Sequence, residues 1–190
     1  PQNPKTPLDV IFVNLFKMVF AVVLPDSYPL VMMGVAANFL LCNLLGPFVI
    51  LPARKGTFTH EVLSKFQSEH EQTVGPDSQV DSMGQPDQGL GWYSKAFNLS
   101  QWVKLNSAMR TQLNYIEGMP TLIMFSMVSA IYYPVLANYC VWATLFGRLL
   151  YTIGYKMNPK MRVPGFLIVT IAAFTMMVTA FMSVNNLFKS

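Results

Sequence analysis

Two short stretches of this sequence gather residues able to hold a charged ligand. The first is Arg110-Thr111-Gln112-Leu113-Asn114-Tyr115-Ile116-Glu117-Gly118-Met119-Pro120. On a helix, Arg110, Asn114 and Glu117 fall at i, i+4 and i+7 and share one face. The second is Arg148-Leu149-Leu150-Tyr151-Thr152-Ile153-Gly154-Tyr155, in which Arg148, Tyr151 and Tyr155 fall at i, i+3 and i+7. Together with Gln112 they supply guanidiniums, a carboxylate, amides and phenols. Guanidinium forks grip carboxylates bidentately, and a carboxylate receives an ammonium. The set suits a small zwitterion with more than one carboxylate, such as a peptide. A plainer alternative stays open: Arg110 pairs with Glu117, and Arg148 satisfies helix ends where two helices meet.

The elements that carry these residues are apolar. Of the 190 residues, 53% are hydrophobic and only 12% charged, about half the share of charge in a soluble domain. Disorder, a coiled coil and an ordinary soluble globule are excluded. The net charge of +4 in so apolar a chain suits membrane ends and anionic headgroups rather than nucleic acid. Cys42 and Cys140 each lie in an apolar run, so no disulfide framework is expected.

The pattern predicts an all-α, four-helix integral membrane bundle at residues 28–190, with spans at about 28–52, 105–133, 135–155 and 164–188. Residues 1–27 form an N-terminal extension, with an interfacial helix over Leu8–Phe20 that Asp9, Asn14 and Lys17 make too polar to span. Residues 56–104 hold six acidic residues and several Gly and Pro, and read as a long extramembrane loop. Within it, Thr59 is expected to cap a short polar helix reaching Gln72. The stretch Gly89-Leu90-Gly91-Trp92-Tyr93 reads as re-entry at the membrane interface. His60 and His70, ten apart with no cysteine near, suggest no metal site. Asn98-Leu99-Ser100 is a glycosylation triplet, discounted for its closeness to the membrane.

Basic residues predict orientation. Arg54, Lys55, Lys65, Lys95, Lys104, Lys156, Lys160 and Arg162 fall on one side, against Lys5, Lys17 and Lys189 on the other. The long loop is therefore expected on the cytosolic or matrix face. Charges inside spans cost about 2.5–3.5 kcal/mol each on insertion scales and are functional candidates by default.

The pattern Arg-x-Gln-x-Asn-x-x-Glu-x-x-Pro, followed by Gly-Arg-x-x-Tyr-x-x-Gly-Tyr, resembles the MAPEG superfamily, membrane-associated proteins in eicosanoid and glutathione metabolism. Ile131-Tyr132-Tyr133-Pro134 and Phe146-Gly147-Arg148-Leu149-Leu150-Tyr151 look most like its microsomal glutathione transferase 3 branch. The likeness covers residues 25–185 apart from the long loop. The resemblance implies a homotrimer of four-helix subunits with glutathione between neighbours. By position, Arg54, Arg110, Gln112, Asn114, Glu117, Arg148, Tyr151 and Tyr155 would hold glutathione. Arg162 falls where the leukotriene-synthase branch has its thiolate-stabilising arginine. Two departures stand out: Gly118 replaces an aromatic residue found in several members, and the loop after Arg54 is much longer than the usual connection.

The expected function is a membrane glutathione transferase or peroxidase, with glutathione as substrate, no metal, and a lipophilic electrophile or lipid hydroperoxide entering from the bilayer. The expected site is the endoplasmic reticulum or mitochondrial membrane. The long loop and N-terminal extension favour an alternative: a non-catalytic accessory subunit of a larger organellar membrane complex. A lipid-binding helper without chemistry is a third reading.

Overall fold

The computed structural model describes residues 24–189. The interfacial helix expected over Leu8–Phe20 lies outside the described residues. Among the described residues every regular element is helical. Four long helices dominate: α1 (Tyr28–Leu45), α2 (Leu99–Ser129), α3 (Pro134–Met157) and α4 (Val163–Leu187).

Helix α1 continues through a π-helical turn, Gly46–Ile50, into a short helix, Leu51–Lys55. Pro47 and Pro52 explain the irregularity, because each removes an amide donor and crowds the preceding turn. The rod Tyr28–Lys55 and the rod Pro159–Leu187 are each long and apolar enough to cross a membrane. Helices α2 and α3 carry Lys104, Arg110, Glu117, Arg148 and Lys156, which is why composition alone marks them less clearly.

The packing is inside-out relative to a soluble bundle. Helix α4 turns Gly165, Ala172, Thr179, Ala180 and Ser183 inward and leaves Phe166, Ile171, Phe174 and Phe181 exposed. Small residues at helix contacts and large apolar ones outside are the arrangement a lipid solvent favours. Helices α2 and α3 pack on each other and both touch α1 and α4. Their shared core includes Val31, Val35, Tyr115, Leu122, Val141 and Met176. Gly147 and Gly165 let α3 and α4 meet backbone to backbone: a methyl on Gly165 would strike the Gly147 carbonyl and the Tyr151 backbone. Cys42 and Cys140 are free and buried.

Helix α2 starts at a reciprocal cap. Asn98 Oδ1 accepts from the Gln101 amide at 2.9 Å, and Gln101 Oε1 accepts from the Asn98 amide at 3.0 Å. The glycosylation triplet thus has its asparagine side chain engaged as a helix cap. The polar helix expected over 59–72 is broken into His60–Leu63 and Gln67–Val74 by a 3-10 turn at Ser64–Phe66. Thr59 holds the N-cap position without a side-chain bond.

The loop is a folded cap rather than open chain. Phe58, Leu63 and Ala53 bury against Leu105 and Ala108 at the start of α2. Its hinge is Asp87, 6% exposed, whose carboxylate accepts from the amides of Gly89, Gly91 and Ser94 at 2.7–2.8 Å. Burial works against the charge on Asp87, and these three donors outweigh it, so its carboxyl lies below the usual carboxylate range. The stretch read as interfacial re-entry is tied to the cap's polar helix: Trp92 Nε1 donates to Glu69 Oε2, and Tyr93 Oη meets His70 Nδ1 at 2.8 Å.

Candidate functional site

Helices α2 and α3 bring the two sequence stretches together. Asn114 Nδ2 donates to Tyr151 Oη at 2.8 Å. One turn on, the Tyr151 and Tyr155 rings meet edge to face with centroids 5.3 Å apart. Arg162 follows, its Nη1 donating to Tyr155 Oη and its guanidinium 5.0 Å from that ring's centroid. The tight turn between α3 and α4 sets this last contact. A methyl on Gly154 would collide with the backbone of Met161 and Arg162, so only glycine lets the chain fold back closely enough. Arg162 also holds the N-cap position of α4, where the helix dipole adds positive potential to its own charge.

Arg148 lies deeper. Its guanidinium carbon is 4.8 Å from the Tyr115 ring and 6.0 Å from the Tyr151 ring. Its Nε is buried with no hydrogen-bond partner. It lines a small cavity of about 130 Å³ with Tyr115, Gly118, Thr121 and Thr144. Gly118 is the reason it fits: a methyl there would sit 2.6 Å from Arg148 Nη2. The space an aromatic side chain would need at this position is taken by the guanidinium.

Arg110 and Glu117 flank Asn114 on the outer face of α2, both exposed. Neither side chain has an ion-pair or hydrogen-bond partner among the described residues. The Arg110–Glu117 pair that the plainer alternative required is therefore not formed.

Two sequence-predicted residues stand elsewhere. Gln112, on the opposite side of α2, donates to the Cys42 carbonyl of α1 at 3.2 Å. Arg54 is 4% exposed and turned into the cap: Nη2 donates to the Met83 carbonyl at 2.6 Å, and the guanidinium lies over the Phe58 ring. The structure brings Asn114, Tyr151, Tyr155 and Arg162 into one ladder with Arg148 behind it; it does not bring Gln112 or Arg54 to them.

Sequence reasoning missed Tyr115 and Asn38, which anchor this region. Both are fully enclosed, and Tyr115 Oη donates to Asn38 Oδ1 at 2.7 Å. Asn38 was visible as an amide inside a charge-free apolar run, which is itself a signal.

Beside Tyr155 a cleft of about 860 Å³ opens between the end of the α1 rod, the start of α2 and the end of α3. Its walls are mostly apolar and include Phe48, Val49, Leu99 and Val103.

In comparison with known proteins, the MAPEG family model matches residues 64–182. That stretch covers more than half of the chain and contains α2, α3 and most of α4. No curated protein matches the chain.

Proposed function

The chain belongs to the MAPEG family of membrane proteins, and on that premise we propose that it binds glutathione and transfers it to lipophilic electrophiles or uses it to reduce lipid hydroperoxides. The observation that carries the reading is the ladder Asn114–Tyr151–Tyr155–Arg162, with its cation at the start of α4. Arg110 and Arg148 supply positive charge for the two glutathione carboxylates, and Glu117 supplies negative charge for its ammonium. Arg110 and Glu117 face outward from the subunit, so the site is completed by a neighbouring copy, and a homotrimer is the assembly that fits.

A free thiol ionises near pH 8.5, and an adjacent cation or helix N-terminus lowers that value. Arg162 offers both. The thiolate attacks an electrophilic carbon, the C–S bond forms, and the displaced electron pair leaves with its group or is protonated from water. With a hydroperoxide, the sulfur attacks the distal oxygen and the O–O bond breaks. The alkoxide takes a proton, and a second glutathione reduces the resulting sulfenic acid to disulfide and water.

The test is spectroscopic. Mixing glutathione with the detergent-purified protein should raise near-ultraviolet thiolate absorbance at neutral pH. Arg162→Leu should abolish the band while leaving binding in place. Binding without a band in the wild-type protein removes the catalytic reading.

One observation favours the second reading, an accessory subunit of a larger organellar membrane complex. Arg54 is committed to a cap that exposes Leu90 and Trp92, a surface suited to another protein. Comigration with a large complex in mild detergent, without transferase activity, would establish that reading instead.

A further inference from the structure

We propose that the cleft between the α1 rod, α2 and α3 is a binding site for one anionic phospholipid, its phosphate held by Lys104 and Lys156 and an acyl chain lying along Phe48, Leu99 and Val103.

The charge pattern selects the occupant. Lys104 and Lys156 are the charged residues lining the cleft, and no carboxylate shares it. Neither ammonium has an ion-pair or hydrogen-bond partner among the described residues. Lys104 reaches from α2 across to the end of the α1 rod, where a methyl on Gly56 would sit 2.7 Å from its Nζ. Lys156 comes from the last turn of α3. Two cations from different helices thus flank one apolar hollow, whose volume of about 860 Å³ is that of a ligand site.

Depth selects the class. The cleft lies at the end of the bundle that also carries Arg54, Lys55, Lys160 and Arg162, where a bilayer presents its headgroups. Basic pockets between membrane helices on the cytosolic or matrix side bind anionic lipid headgroups. The apolar rim is wide open, with Phe48 72% and Leu99 76% exposed, so a chain still embedded in the leaflet can slide in sideways. Phosphatidylcholine carries the same phosphate, but its trimethylammonium offsets that charge beside the two lysines, which an anionic headgroup does not. The cleft shares Tyr155 with the ladder, and lipid binding there needs no glutathione.

Native mass spectrometry tests it on the intact protein, incubated in detergent with equimolar phosphatidylglycerol and phosphatidylcholine of identical chains. Phosphatidylglycerol should be retained over phosphatidylcholine roughly thirtyfold, the equivalent of about 2 kcal/mol for two lysines near a surface. Lys104→Gln and Lys156→Gln should each cut that preference about fivefold. Val103→Trp, which fills the cleft and keeps both charges, should lower retention of phosphatidylglycerol and is read independently if a lysine variant fails to fold. Equal retention of the two lipids overturns the proposal, as does unchanged retention in Val103→Trp. In a second incubation with equimolar oleate added, capture of oleate in preference to phosphatidylglycerol also overturns it, by making the occupant a free fatty acid.

Discussion

The Tyr115 phenol donates to the Asn38 side chain at 2.7 Å, and Asn38 in turn donates to the Gly34 and Val141 carbonyls at 2.9 and 3.1 Å. One amide therefore ties α1 to both α2 and α3 at a point with no access to solvent. Hydrogen bonds between membrane helices average about 0.6 kcal/mol and reach about 1.7. Full enclosure places this one toward the upper end. Tyr115→Phe, which deletes only the hydroxyl, should lower unfolding stability in detergent by about 1–2 kcal/mol. Asn38→Leu should cost more, since it removes three bonds and orphans the phenol. No shift in Tyr115→Phe would mean that apolar packing alone sets the α1 position.

The polar partners of α2 divide by face, and that gives a contrast in binding. Arg110 is exposed and unpartnered, while Gln112 is spent on the Cys42 carbonyl. Arg110→Ala should weaken glutathione binding by about 1.5–3 kcal/mol, the worth of a charged hydrogen bond. Gln112→Ala should change stability rather than affinity. Calorimetry on both variants checks this, and equal affinity losses would return Gln112 to the site.

The long helices were legible because hydrophobic run length and proline position act locally: Pro134 and Pro164 stand in the first turns of α3 and α4. The face shared by Arg110, Asn114 and Glu117 follows from helical period alone, as does that of Arg148, Tyr151 and Tyr155. What period cannot give is the partner. Arg54 ends an apolar rod and looks like any interfacial anchor; only the folded cap turns it toward Met83, 29 residues further along the chain. The cap itself was unreadable because its order rests on one buried carboxylate and a few aromatics rather than on a repeating pattern. The cleft holding Lys104 and Lys156 is likewise a product of three helices meeting.

Gly118 and Arg148 form a size lock between α2 and α3. Gly118→Ala forces the guanidinium to move, because the new methyl would sit 2.6 Å from Nη2. Nη2 is the end of a flexible side chain beside a cavity of about 130 Å³, so the expected cost is that of shifting a rotamer, about 0.5–1.5 kcal/mol. Arg148→Met removes a buried cation whose Nε has no partner, and such replacements are often neutral or stabilising. Combining the two should recover much of the loss. A double-mutant cycle by thermal unfolding measures the coupling; strict additivity would show that Gly118 is required for some reason other than room for Arg148.

Asp87 governs the cap through pH. Its folded carboxyl ionises below the usual range of about 3.9, because three backbone amides favour the charged form over the opposing effect of burial. A depressed folded value means that the stabilisation is complete above the unfolded value and is lost as pH falls through the folded one. Amide exchange in residues 84–97 should therefore be flat between pH 7 and 5 after correction for intrinsic rate, and protection should collapse at more acidic pH. Asp87→Asn keeps the shape, removes the charge and leaves amide donors poorly met, so it should destabilise the cap by about 1–3 kcal/mol already at neutral pH. It should also weaken the acid transition, leaving the part that Asp81 contributes through the Met83 and Gln85 amides. The four-helix core shares few polar groups with this turn, so protection within α3 should not change in the variant. If α3 loses protection in step with residues 84–97, the cap and the bundle unfold as one unit and Asp87 is a determinant of the whole fold.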